Sequence, residues 1–181
     1  MNYRISFFVV ALTMCGCANN SVKTESKLAA NTQFLQPALT LNLKQALVVE
    51  GYPDQAELTK LLQERTTEAF KSRNLIADKS NASALAVNIA VDYQRQFAGE
   101  ATPIKSKSVA MPIVHYRITV SDHGIEKRII DKDGMTVNRG FGSNLATTFT
   151  LGLGKTAKDE LKDIETLANG IASEVEALKE R

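Results

Sequence analysis

The side chains that could carry chemistry in this 181-residue chain are few and widely spaced. His115 and His123 are its only histidines, one in an alternating run and one in a turn, and no cysteine or H-x-x-x-H spacing joins them into a zinc site. Imidazoles titrate between pH 5 and 8, but no residue near either in sequence makes it a switch. Gly154-Lys155-Thr156 resembles the end of a phosphate-binding loop, yet the glycine required five residues before Gly154 is Phe149, so the backbone cradle is missing. Asp131-Lys132-Asp133-Gly134 opens like a calcium loop, but its twelfth position is Gly142 where a carboxylate is needed, and a tight β-turn is the expectation. Gly140-Phe141-Gly142-Ser143-Asn144 approaches a nucleophile elbow without the glycine two residues after the serine. Neither catalytic residues nor a metal, nucleotide or other cofactor is therefore expected.

The two cysteines, Cys15 and Cys17, are more informative because of what precedes them. Met1 to Asn20 carries one cation, Arg4, then an apolar stretch from Ile5 to Leu12 broken only by Ser6, then Met14-Cys15-Gly16-Cys17. A charged start, a short apolar run and small residues form an export signal, too short to span a bilayer as a permanent helix. The ending resembles the bacterial lipobox, in which a small residue precedes the cysteine that is diacylated and becomes the new N-terminus. Gly16 favours Cys17 as the lipidated residue, while Leu12 three residues before Cys15 keeps Cys15 as the alternative register. Residues 1–16 are then the signal peptide, and lipidation of Cys17 consumes the last thiol, which excludes disulfides and thiolate catalysis. Two or three acyl chains, at about 0.8 kcal/mol per buried CH₂, give stable membrane residence. By resemblance to the sorting of Gram-negative lipoproteins, Ala18 after the cysteine carries no inner-membrane mark, which implies the outer membrane with the domain facing the periplasm.

The formal net charge of +2, with Lys and Arg interleaved among Asp and Glu, argues against a nucleic-acid partner. Hydrophobic residues make up 44% of the chain, ordinary for a globular fold, and no second long apolar segment follows the signal. Ala18 to Gln36 is polar and aperiodic, so residues 17–38 are expected to form a flexible tether; a coil of about 20 residues spans roughly 25 Å.

From residue 39 to 181 the patterning predicts one domain. Leu39, Leu41 and Leu43 alternate with polar residues as in a half-buried strand, followed by the apolar run Ala46 to Val49. Asp54 with Glu57 forms a capping box that opens an amphipathic helix to about Arg73. Leu85, Val87, Ile89, Val91 and Tyr93 fall at every second position, and after a loop around Gly99 to Ser108 so do Val114, Tyr116, Ile118 and Val120. Ser121 to Gly124 is a turn into a returning strand, Ile125 to Ile130, and Asp131 to Gly134 a second turn before Met135 to Phe141. Pro112 suits a strand start or an edge. Gly140 to Gly154 has no assignable pattern. Leu161, Ile164, Ala168, Ile171, Val175 and Leu178 step by three and four, predicting a helix from about Ala157 to Lys179. The order β-α-β-β-β-α implies an α+β two-layer sandwich, a mostly antiparallel sheet with both helices on one face.

On this layout the helix ending Lys71-Ser72-Arg73-Asn74-Leu75-Ile76, with Leu61-Leu62-Gln63 within it, the strand Leu85 to Tyr93 and the closing helix together resemble the YajG-like family of small Gram-negative outer-membrane lipoproteins. Lipoproteins of the lipopolysaccharide translocon and of curli secretion share a broadly similar module. The resemblance implies an envelope lipoprotein without an established catalytic site. The role expected of the domain is protein–protein binding or self-assembly through a sheet edge or through Gly140 to Gly154. The alternative is a module for lipopolysaccharide or peptidoglycan components, whose anionic groups would meet Lys105 and Lys107 in the loop and the outward residues His115 and Arg117.

Overall fold

In the computed structural model, residues 27–78, 81–98, 108–136 and 156–180 are described. Lys105, Lys107, Cys15, Cys17 and the Gly140 to Gly154 segment lie outside them. The elements are β1 (Ala38–Lys44), α1 (Gln55–Ser72), β2 (Ala86–Gln94), β3 (Ile113–Asp122), β4 (Ile125–Thr136) and α2 (Ala157–Ala177).

The sheet runs β1-β2-β3-β4, with β1 parallel to β2 and the other pairs antiparallel, so the expected α+β order is the one observed. Strict alternation makes one face dry. Val87, Ile89, Val91 and Tyr93 of β2 and Val114, Tyr116, Ile118 and Val120 of β3 are all buried, and Leu41 joins them from β1. Asn88, Ala90 and Arg117 on the opposite face are exposed. The hairpin between β3 and β4 turns at His123 and Gly124, both at positive φ (48° and 84°), the backbone of a two-residue turn whose twist matches the flanking strands.

Helix α1 starts where the capping box requires. The Asp54 carboxylate accepts from the Glu57 N–H at 2.9 Å, and the Glu57 carboxylate accepts from the Asp54 N–H at 3.1 Å. Its buried stripe is Leu58, Leu62, Thr66, Ala69 and Phe70. Helix α2 buries Ile164, Leu167, Ala168, Ile171, Ala172 and Val175 against α1 and the sheet, in a core that also holds Phe34. The helices run side by side in one direction: Arg73 at the end of α1 pairs with Glu176 near the end of α2, and Tyr52 and Pro53 before α1 line a groove with Ala157 and Leu161 at the start of α2.

Four expectations are corrected. The tether does not extend to residue 38: Phe34 is fully buried, its N–H bonds the Leu75 carbonyl and its carbonyl the Ala77 N–H, while Leu28 bridges Leu178 and Glu180. An aromatic ring that fills a core cannot belong to a coil, and the isolated pair Phe34-Leu35 among polar residues offers no period to count. Asp131 to Gly134 is not a turn but part of β4. His115 faces two residues there and Gly134 takes φ +63°, so the chain bulges without reversing. The run Ala46 to Val49 is not strand, and Val48 is 89% exposed. Leu161, expected in the buried stripe of α2, is exposed, and Glu160 takes the buried position instead.

Replacing Phe34 by Ala should cost about 3–5 kcal/mol in urea unfolding, as for other large-to-small core changes. Leu35→Ala at its exposed neighbour should stay within about 0.5 kcal/mol. Equal, small effects of the two would remove residues 27–37 from the folding unit.

Candidate functional site

The face of the sheet away from the helices carries the outward residues of all four strands. Register sets them in rows: Thr40, Ala90, Arg117 and Asp131 in one, Asn42, Asp92 and His115 in the next. Ala90 is the small residue at the centre, and the longer side chains around it leave a shallow depression of about 360 Å³.

The charges of this face are matched within it. Arg117 reaches Asp131 through Nε at 3.1 Å and Nη2 at 2.9 Å. His115 Nδ1 lies in close contact with Asp133 and accepts from the Gly134 N–H at 3.3 Å. Asp92 accepts from Lys44 at 2.8 Å and from Asn42 at 2.9 Å, and these two hydrogen bonds hold its carboxyl below the usual range. The structure thus brings His115 and Arg117 onto one face as the alternation predicts, but each meets an aspartate. Exposed pairs of this kind contribute little to stability, about 0–1 kcal/mol, and they leave little uncompensated positive charge for an anion.

A second polar cluster, invisible to motif reading, lies inside the domain at the end of β2. Arg95 follows the last strand residue and is 3% exposed; Glu160, in the first turn of α2, is fully buried. Their contact is bidentate, Nε to Oε1 at 2.7 Å and Nη2 to Oε2 at 3.0 Å. The remaining Arg95 donors hold the connection before α1: Nη1 donates to Gln45 Oε1 at 2.6 Å and Nη2 to the Pro53 carbonyl at 2.6 Å. The guanidinium also stands 5.6 Å from the centre of the Tyr52 ring, which meets Phe97 edge-on at 5.2 Å. Asp163 and Tyr93 are buried alongside.

The electrostatics follow from this enclosure. Burial raises the Glu160 carboxyl above its ordinary range, opposed by the hydrogen bonds and charge of Arg95. Burial, then the charges of Glu160 and Asp163, push the Tyr93 hydroxyl well above 10. Raised carboxyls and phenols are common in active sites. Here, however, the groups are sealed in the core, where Arg95 joins a strand end, a loop and a helix start. Among the described residues no group of three His, Cys, Asp or Glu side chains could hold a metal ion, and no helix is long and apolar enough to cross a membrane.

No family model and no curated protein matches the chain. Among solved structures, a minor lipoprotein from Acinetobacter baumannii aligns over 80% of this chain and 93% of its own, at 13% identity and a TM-score of 0.38. The rare lipoprotein B from Shewanella oneidensis aligns over 75% and 89%, at 18% identity and a TM-score of 0.28.

Because the Glu160 pKa is higher folded than unfolded, its contribution is fully present below the unfolded value and is lost as pH rises through the folded one. The stability of the unmodified protein relative to Glu160→Gln should therefore rise as pH falls from about 7 to about 4.5, the window above an ordinary glutamate pKa. Arg95→Met, which strips the buried carboxylate of its cation, should cost about 3–5 kcal/mol at neutral pH. A flat difference for Glu160→Gln across that window would contradict the burial argument.

Proposed function

We propose that the chain is an outer-membrane lipoprotein, anchored through Cys17 and facing the periplasm, whose domain binds an envelope protein or its own copies and performs no catalytic step. The observation that carries this reading is the distribution of its ionisable groups. Those with shifted pKa values are buried, as Tyr93, Tyr116 and Glu160 are, half-buried against Arg95, as Tyr52 is, or held in surface hydrogen bonds, as Asp92 and Arg65 are. Enclosed groups cannot reach a substrate, and the paired charges of the open face provide no strong anion subsite. The reading of that face as a lipopolysaccharide or peptidoglycan contact through His115 and Arg117 is the weaker one for the same reason. Shape and exposed backbone remain as the means of recognition.

The ordered N-terminal segment makes the anchor short. About ten residue steps separate Cys17 from Lys27, so at roughly 3.3–3.6 Å per residue the folded domain starts within about 35 Å of the lipidated cysteine. Partners are then confined to a thin layer beside the membrane.

Cys17→Ser should abolish incorporation of a clickable palmitate analogue and release the domain from the membrane fraction, while Cys15→Ser leaves both unchanged; the reverse pattern moves the anchor to Cys15. Absence of label on the unmodified chain ends the lipoprotein reading. Lysine-reactive crosslinking in intact cells should recover a multimer of this chain or a complex with an envelope protein. Recovery of the monomer alone would sink the binding reading.

A further inference from the structure

Strands β1 and β4 form the two edges of the sheet among the described residues, and they are built differently. β4 is interrupted by irregularities near both ends and carries Lys127, Arg128 and Lys132, devices that discourage pairing with another strand. β1 has no bulge, and its one charge, Lys44, stands at its last residue, paired with Asp92, so the stretch from Ala38 to Leu43 presents no charge and no proline.

Three hydrogen bonds fix which backbone groups of β1 point outward. The Lys44 carbonyl accepts from the Arg95 N–H at 2.8 Å, on the β2 side. The Leu43 N–H donates instead to Gln55 Oε1 at 3.1 Å, and the Pro37 carbonyl accepts from Gln63 Nε2 at 2.8 Å, both on the outer side. N–H and C=O directions alternate along a strand, so the groups of Leu39 and Leu41 also point outward. Two glutamine amides from α1 thus occupy the ends of an edge whose middle has no strand beside it among the described residues. A groove of about 700 Å³ runs along this edge, lined by Leu39, Asp54, Ala56, Thr59, Lys60 and Gln63.

We propose that this edge pairs with the β1 edge of a second copy, antiparallel about a two-fold axis at Leu41, to give a continuous eight-stranded sheet. This rests on the reading that the domain acts by protein binding, and it names the surface and the partner. In this register Leu41 meets Leu41, Leu39 meets Leu43 and Thr40 meets Asn42, so apolar residues face apolar ones on the helix side and polar ones face polar on the open side. The axis also brings the two α1 helices together across the groove. Their small residues Ala56 and Thr59 permit close approach, and Lys60 of each copy is directed at the Asp54 region of the other, a self-complementary arrangement of charge. Pairing completes the outward hydrogen bonds of Leu39 and Leu41 and displaces Gln55 from Leu43.

The test uses two differently tagged full-length copies in native membranes, one Thr40→Cys and the other Asn42→Cys, both exposed positions on the open face. Cross-strand partners hold Cβ atoms about 4.5–5.5 Å apart, close enough for a disulfide to form with slight adjustment. Oxidation should give a mixed disulfide between the tags, and chains without added cysteines should give none. His115→Cys, two strands inward on the same face, should not crosslink to either. Lys60→Glu, placed in the groove at an exposed helix position, should reduce the mixed disulfide more than about tenfold, equivalent to about 1.4 kcal/mol, with the thermal midpoint of unfolding unchanged. Lack of the mixed disulfide while lysine-reactive crosslinking still captures complexes would overturn the β1 pairing and leave the binding reading intact. Lack of both would overturn the two together. Equal yields from His115→Cys would mean random collision and would also overturn the pairing.

Discussion

A buried arginine has to be matched, and much of this fold is arranged around the match for Arg95. Removing a guanidinium and a carboxylate from water costs several kcal/mol per ion, which their attraction offsets only when geometry is close and the remaining donors are filled. The geometry is close, and four of the five donors are filled. Glu160 takes two of the five donors, and Gln45 and Pro53 take one each. The consequence reaches beyond the pair: the end of β2, the connection between β1 and α1, and the start of α2 are fastened at one point. The rotation of α2 is set there too, with Glu160 turned inward and Leu161 left exposed.

Such a pair is weak as a source of net stability, since an apolar replacement of similar volume often does as well. Its effect is on uniqueness. The segment between Lys44 and Asp54 contains Val48, almost wholly exposed, and has no regular structure of its own. Contacts to Gln45, Tyr52 and Pro53 are what give it a defined path. That path delivers Asp54 to cap α1 and leaves α1 beside β1, so the groove along the sheet edge depends indirectly on the buried ion pair.

The surface tells a complementary story. On the open face Lys44 and Arg117 each stand beside an aspartate, and the described residues begin at Lys27, ten positions after Cys17. Under the proposed function, a tethered domain with balanced charge would not be steered to partners over long range; it would meet them by proximity to the membrane and hold them by backbone and shape. An edge strand with outward hydrogen-bonding groups is the feature of this fold best suited to that mode of recognition.

The amino-acid order alone determined the elements wherever a period ran long enough to be counted. Alternation over Leu85 to Tyr93 and Val114 to Val120 located β2 and β3 and their dry faces, and the Asp54–Glu57 capping box located α1. Only the tertiary structure decided the matters that depend on partners distant in the chain. Phe34 belongs to the core because Leu75, Ala77 and Leu85 offer it a place, not because of its neighbours in sequence. Asp131 to Gly134 stays in a strand because β3 holds it there through a bulge, although its local chemistry favours a turn. Glu160 is buried in preference to Leu161 because Arg95, 65 residues away, needs a counter-ion. Periodicity records which face of an element is apolar on average. It has no means of recording a single buried charge that outweighs one leucine, and that choice appears only when the chain has folded.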